Sequence, residues 1–87
     1  MAKKNEKITV GIIGGKGKMG RIFANIFECA GCNVLIADLY TPLTNEKLAK
    51  ISDVVIICVP IAKTVDVIKK IVHKIKSSSL LMDITSI

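Results

Sequence analysis

Aromatic residues make up only 3% of this 87-residue chain, and tryptophan is absent. Any core must therefore be aliphatic, built from Ile, Val and Leu. No apolar run reaches the roughly 18 residues that a membrane-spanning helix needs. The opening segment, MAKKNEK, leads into a short strand-like run rather than an apolar h-region, which argues against a secretion signal. Cysteine occurs three times, and in a chain without a signal this points to a reducing, cytoplasmic setting. Arginine occurs once, at Arg21, and histidine once, at His73. Repeats and low-complexity stretches are missing. What is abundant is apolar character, 51% of residues, far too much for a disordered chain. Lysine is abundant too and carries the net charge of +6. The lysines are not interleaved with aromatics, and Lys69, Lys70, Lys74 and Lys76 recur on the outer face of one predicted helix. The charge thus reads as a solvated helix face, not as a nucleic-acid surface.

The order of elements follows from periodicity. Residues 7–13 are β-branched and apolar on both faces, as in a central parallel strand covered on both sides. Met19, Ile22, Phe23, Ile26, Phe27 and Ala30 then form one apolar stripe on a helix of about three and a half turns, with Gly31 placed to stop it. Val34 to Ala37 is a second strand ending at Asp38. Pro42 marks a turn, and Thr44 is placed to cap a short helix through Ile51. Asp53 opens the strongest strand, DVVIICVP, which Pro60 stops. Thr64 is placed to cap a further helix with Asp66 in its first turn and apolar positions at Val65, Ile68, Ile71, Val72 and Ile75. After the loop Ser77 to Ser79, LLMDI is a fourth strand. Alternating strands and helices predict an α/β fold: a partial doubly wound, Rossmann-type parallel sheet of about four strands in the order 2-1-3-4, with helices on both faces. Residues 1–87 read as a single domain. Ligands of such sheets bind beyond the carboxyl ends of the strands, where the winding direction changes. Gly14 to Gly20, Asp38, Val59-Pro60 and Thr85-Ser86 all follow carboxyl ends and are expected to converge there.

GGKGKMG, residues 14–20, lies directly after the first strand and opens the first helix. Gly15, Gly17 and Gly20 fit the G-x-G-x-x-G pattern. In that pattern the first glycine allows a tight turn, the second lets a pyrophosphate approach the backbone, and the third lets the helix pack close to the strand. The helix N-terminus favours phosphate. Asp38 follows Gly17 by 21 residues, at the end of strand two, where its carboxylate can accept hydrogen bonds from both ribose hydroxyls. Strand, glycines, helix and acid in register predict a dinucleotide site. An Asp there favours NAD, because it would repel the 2′-phosphate of NADP and no Arg follows it. Lys16 and Lys18 are secondary candidates that screen phosphate charge.

Cys29-Ala30-Gly31-Cys32 has the spacing of a redox or metal pair. It sits at a predicted helix C-terminus, whereas redox pairs use a helix N-terminus to lower the thiol pKa. A metal would need two further ligands, and only Cys58, inside a strand, and His73, on a lysine-rich helix, remain. The spacing is read as chance, no metal site is expected, and His73 is given no catalytic role.

Gly14-Gly15, Gly17, Met19-Gly20-Arg21 and Phe23, then Val59-Pro60 with Thr64, then Asp83 and Ser86 together resemble the NAD-binding half of prephenate dehydrogenase. The resemblance covers residues 7–87. The family's pattern ends D-x-x-S-x-K, whose Lys falls at position 88, beyond the sequence. The resemblance implies oxidation of prephenate by hydride transfer to NAD, with loss of carbon dioxide to give 4-hydroxyphenylpyruvate, a step toward tyrosine. It implies a cofactor set of Gly15, Gly17, Lys18, Met19, Gly20, Asp38, Val59, Pro60 and Thr64, although Met19 reads better as a residue packed against the strand than as a ligand contact. It further implies Ser86 as the candidate catalytic residue, the one residue here expected to approach the nicotinamide and substrate. The family's catalytic His block, and the helical domain whose arginines hold the substrate and form the homodimer, have no counterpart in these residues. The chain is thus expected to be the N-terminal part of a longer enzyme, inactive alone, binding prephenate only with the missing domain. Another two-domain dehydrogenase, for hydroxy acids or imines, is the competing enzyme reading. A non-catalytic NAD-binding or assembly module is the competing reading from outside enzymology.

Overall fold

The computed structural model describes residues 7–84. Four strands and three helices alternate: β1 (Thr9–Ile13), α1 (Lys18–Cys29), β2 (Asn33–Ala37), α2 (Asn45–Ile51), β3 (Val54–Ile57), α3 (Ile61–Ile71) and β4 (Leu80–Asp83). All pairings are parallel, and the strand order is β2-β1-β3-β4, as the sequence predicts. β1 lies inside the sheet with its partners in register, Ile12 beside both Ile36 and Ile56. Its unbroken apolar run is explained by cover on both faces.

One face carries Val10, Ile12 and Ile56, packed under Phe23, Ala24 and Phe27 of α1. The other carries Ile13, Ala37, Val55 and Ile57 beneath Leu48, Ala49 and Ile71 of α2 and α3. Gly11 permits this second layer, since a Cβ there would collide with Leu48 and Ser52. At the amino ends of the strands, Asp53 fixes three neighbours. Its Oδ2 accepts from the Thr9 amide at 2.8 Å, its Oδ1 from Lys76 Nζ at 2.9 Å, and its main-chain oxygen from the Leu80 amide.

Three details of the sequence reading are corrected. The covered face of α1 is Gly20, Phe23, Ala24 and Phe27, while Met19, Ile22 and Ile26 are exposed and Ala30 lies outside the helix. One helix cannot bury an apolar stripe wider than the surface it touches. Thr64 does not cap α3: the helix begins three residues earlier, after Pro60, and Thr64 lies buried within it. Its covered face is Thr64, Val67, Ile68 and Ile71, leaving Val65 and Val72 outside and Asp66 beyond the first turn. His73 is an exposed turn residue after the helix, not a helix residue. Among the described residues no helix is long and apolar enough to cross a membrane.

Candidate nucleotide site

The carboxyl ends of β1 and β3 open onto a cavity of about 530 Å3. Its walls include Gly14 and Gly17 from the loop after β1, Asp38, Leu39, Thr41, Leu43 and Thr44 after β2, and Cys58, Val59 and Pro60 after β3. Lys63 and Val67 of α3 complete it. The sheet ladder itself forces this convergence. The Gly14 amide donates to Ala37 O at 2.8 Å, and the Cys58 amide to Ile13 O at 2.8 Å. The turns after three strands therefore start at one level.

Within the loop the glycines divide the work differently from the expected pattern. The left-handed backbone falls on Gly14, with φ +82°, one residue before the fingerprint begins. There a Cβ would also lie 2.6 Å from Cys58 O. Gly15 has no side chain because Ile36 of β2 occupies the space. A Cβ on Gly20 would sit 2.5 Å from Gly14 O, so this glycine lets α1 rest directly on the loop. Gly17 differs, since the nearest atom to a Cβ there is Gly14 O at 3.4 Å, an ordinary contact. No protein neighbour demands glycine at 17, and the backbone there lies open on the cavity wall.

Gly17 is the N-cap of α1 and brings no side chain to its amides. The first intrahelical bond is Arg21 N–H to Gly17 O, which leaves the amides of Lys18, Met19 and Gly20 without an acceptor in the helix. No acidic residue stands in the first turn, and Lys18 stands there instead, at the positive end of the helix dipole. By contrast, α2 has Thr44 capping the Lys47 amide, Glu46 in its first turn and Lys50 in its last. α1 is thus arranged against its own stability and in favour of an anion.

Asp38 ties the loop to strand two. Its Oδ2 accepts from the Lys16 amide at 2.9 Å and its Oδ1 from the Leu39 amide at 2.8 Å. The Lys16 carbonyl in turn accepts from Arg21 Nε at 3.0 Å. A carboxylate offers about four lone-pair positions, so two remain after both backbone bonds. A smaller hollow beside the cavity is lined by Lys16, Gly17, Asp38, Leu39 and Tyr40.

Of the residues expected at the site, Gly17, Asp38, Val59 and Pro60 line the cavity. Gly15 and Gly20 shape the loop from beneath. Lys18 and Met19 are exposed in the first turn of α1, away from the cavity wall. Thr64 is buried one turn inside α3 and is not on the wall. Ser86 lies outside the described residues. The sequence reading missed Thr41, Leu43, Lys63 and Val67 on the wall. A threonine three residues after Asp38 and next to Pro42 is a turn signature, the one signal that pointed to Thr41.

Cys58 also lines the cavity. Burial, followed by the nearby Asp83 carboxylate, pushes its thiol pKa up, so the thiol stays protonated at neutral pH. Cys29 and Cys32 are free thiols around the end of α1. Among the described residues no group of three or more His, Cys, Asp or Glu side chains is placed to hold a metal.

Comparison with known proteins fits this geometry. A "Probable arogenate/prephenate dehydrogenase" of Methanocaldococcus jannaschii is 37% identical over 98 residues, which span 97% of this chain and 22% of that protein. The "T-protein" of Haemophilus influenzae is 34% identical over 76 residues, spanning 87% of this chain and 20% of its own length. The chain thus covers about a fifth of each of these relatives. The family described as "Prephenate dehydrogenase, nucleotide-binding domain" matches residues 32–87, well over half of the sequence, so the chain belongs to the prephenate dehydrogenase family, within its nucleotide-binding domain.

Proposed function

We propose that this chain is the NAD-binding portion of a prephenate dehydrogenase, serving oxidative decarboxylation of prephenate on the route to tyrosine in the cytoplasm. The observation that carries the reading is the bond from the Lys16 amide to Asp38 Oδ2. It holds the Asp38 carboxylate beside the glycine loop at one cavity, which supports a ribose-binding role for Asp38 next to a phosphate-binding role for the loop.

The residues present suit NAD. Gly17 and the first-turn amides of α1 would hold the pyrophosphate, aided by the helix dipole and by Lys16 and Lys18. The two remaining lone-pair positions of Asp38 match the two adenosine-ribose hydroxyls. The same carboxylate repels a 2′-phosphate, which is why NAD is preferred to NADP. When bound, NAD supplies the hydride acceptor, and the protein orients and polarises the substrate. Val59 and Pro60 wall the cavity beyond β3, where they exclude water from the dinucleotide. Thr64 serves from within α3 as a packing residue.

His73, the only histidine, cannot polarise a substrate here. It follows α3 and therefore lies near the amino ends of the strands, opposite the cavity. A histidine acting on the substrate hydroxyl, together with the arginines that hold its carboxylates, belongs to further sequence of a homodimeric enzyme. The name of the archaeal relative pairs prephenate with arogenate, and choice between them rests with that further sequence.

Titration calorimetry on the 87-residue chain tests the cofactor reading. NAD is expected to bind more tightly than NADP. Asp38→Ala should weaken NAD by about tenfold or more, as for loss of a charged hydrogen bond, and should narrow the gap to NADP. Equal affinity for the two in the unaltered chain would remove Asp38 from the site.

A further inference from the structure

We propose that Thr41 is the positioning residue that aims the Asp38 carboxylate at the ribose of a bound dinucleotide. The inference rests on the NAD reading above and assigns a determinant of affinity that touches the nucleotide through another side chain.

The sheet ceases to hold the chain at Ala37, the last residue of β2. Asp38 follows, and its main chain is held by one residue, Thr41. Its amide donates to Thr41 Oγ1 at 2.9 Å. Its carbonyl accepts from the Thr41 amide at 3.4 Å and faces Thr41 Oγ1 at 3.1 Å. The hydroxyl has a single proton, and the Leu43 carbonyl, at 2.9 Å, is its nearer acceptor. One oxygen thus accepts at Asp38 and donates toward Leu43, closing residues 38–43 into a turn.

Packing anchors only the far end of the turn, where Leu43 rests against the core. Leu39 and Tyr40, at the tip, are 86% and 94% exposed. At the Asp38 end the orientation of the turn therefore depends on its hydrogen bonds. Rotation about the Asp38 backbone would swing the carboxylate away from the Lys16 amide and the loop. The Lys16 and Leu39 amides fix the carboxylate only once the backbone behind it is set.

Thr41 also lines the cavity, so direct contact with the ligand is the alternative, and a double-mutant cycle separates the two. NAD binding would be measured by calorimetry for the 87-residue chain and for Thr41→Val, Thr41→Ser, Asp38→Ala and the Asp38→Ala/Thr41→Val pair. Circular dichroism would confirm that each is folded. Thr41→Val should weaken NAD about three- to tenfold, the scale of one lost hydrogen bond. Thr41→Ser should keep the parent affinity. The pair should bind no worse than Asp38→Ala alone, because a mis-aimed carboxylate matters only while it is present. If Thr41→Val does not fold, Thr41→Ala replaces it in the cycle with the same factor expected. Parent-like binding by the Val or Ala variant overturns the proposal, as does a pair weaker than Asp38→Ala by the full single-variant factor. In both cases the NAD reading stands if Asp38→Ala itself loses affinity. Failure of the parent to bind NAD overturns the reading and this inference together.

Discussion

Gly20, within α1, and Gly31, just after it, are both glycines, yet removing them should have opposite meanings. Gly31 has φ +88° and nothing within 4 Å of a Cβ. Gly31→Ala therefore meets only the left-handed backbone penalty, about 1–2 kcal/mol, and should lower the melting temperature with NAD affinity unchanged. At Gly20 a Cβ meets Gly14 O at 2.5 Å and Gly15 Cα at 2.6 Å. Both are backbone atoms that cannot swing aside, so Gly20→Ala must push α1 off the loop. Calorimetry and melting together should show it losing both stability and NAD binding. Asp53 supplies a pH test remote from the site. Its pKa is lowered from 3.8, chiefly by the Thr9 amide and then by the Lys76 ammonium. A carboxylate with a depressed folded-state pKa contributes stability that is present above its unfolded value and lost as pH falls through the folded one. Melts between about pH 2 and pH 6 should thus show an acid-side loss that Asp53→Asn reduces. An identical acid profile for the variant would remove Asp53 from the account.

At the scale of elements, α1 and α2 show what separates a helix built for stability from one built for a ligand. Lys18→Glu would complement the dipole of α1 and should stabilise it by about 0.3–1 kcal/mol. The same change should weaken NAD, because it puts a negative charge in the first turn whose amides are proposed to hold the pyrophosphate. A variant that gains stability with affinity intact would separate the anion site from the α1 N-terminus. The element order, the parallel sheet and the cap at Thr44 were legible in the sequence because each rests on a local signal: strand runs, a turn proline, a capping hydroxyl. Asp38 beside the glycine loop was legible because strand order places both at one edge. Less legible was which side of each helix is covered. Val67 was passed over and Val65 counted in, since a stripe that includes Thr64 does not read as apolar. The fingerprint assigns the tight turn to Gly15, but the left-handed residue is Gly14. Only the contact with Cys58, just after β3 and distant in sequence, shows why.

For the whole molecule the sheet is covered unevenly. Leu80 and Met82 of β4 share the α1 face with Val54 and Ile56, their register partners, yet are 56% and 38% exposed. α1 lies against β1 and β2 and does not extend over them. Ile22 and Ile26 are exposed on the same layer, and β4 is an edge strand in this sheet. An apolar edge of this kind favours association between chains. Sedimentation of the 87-residue chain should show concentration-dependent self-association, and Leu80→Lys with Met82→Lys should suppress it. A monomer at all concentrations would show that this face is adequately solvated. On the proposed function, in which the substrate-binding groups are not among these residues, the chain should turn over prephenate far below the roughly 1 per second of ordinary enzymes, read at the NADH absorbance band. The strand order has a consequence in time as well. β1 is made first, but Val10 pairs with Val34 on one side and Val54 on the other. At about 5–20 residues per second, a ribosome needs on the order of a few seconds to deliver β3 after β1. β2 arrives partway through that interval, and until β3 follows, the other flank of β1 lacks the partner that completes the floor of the cavity.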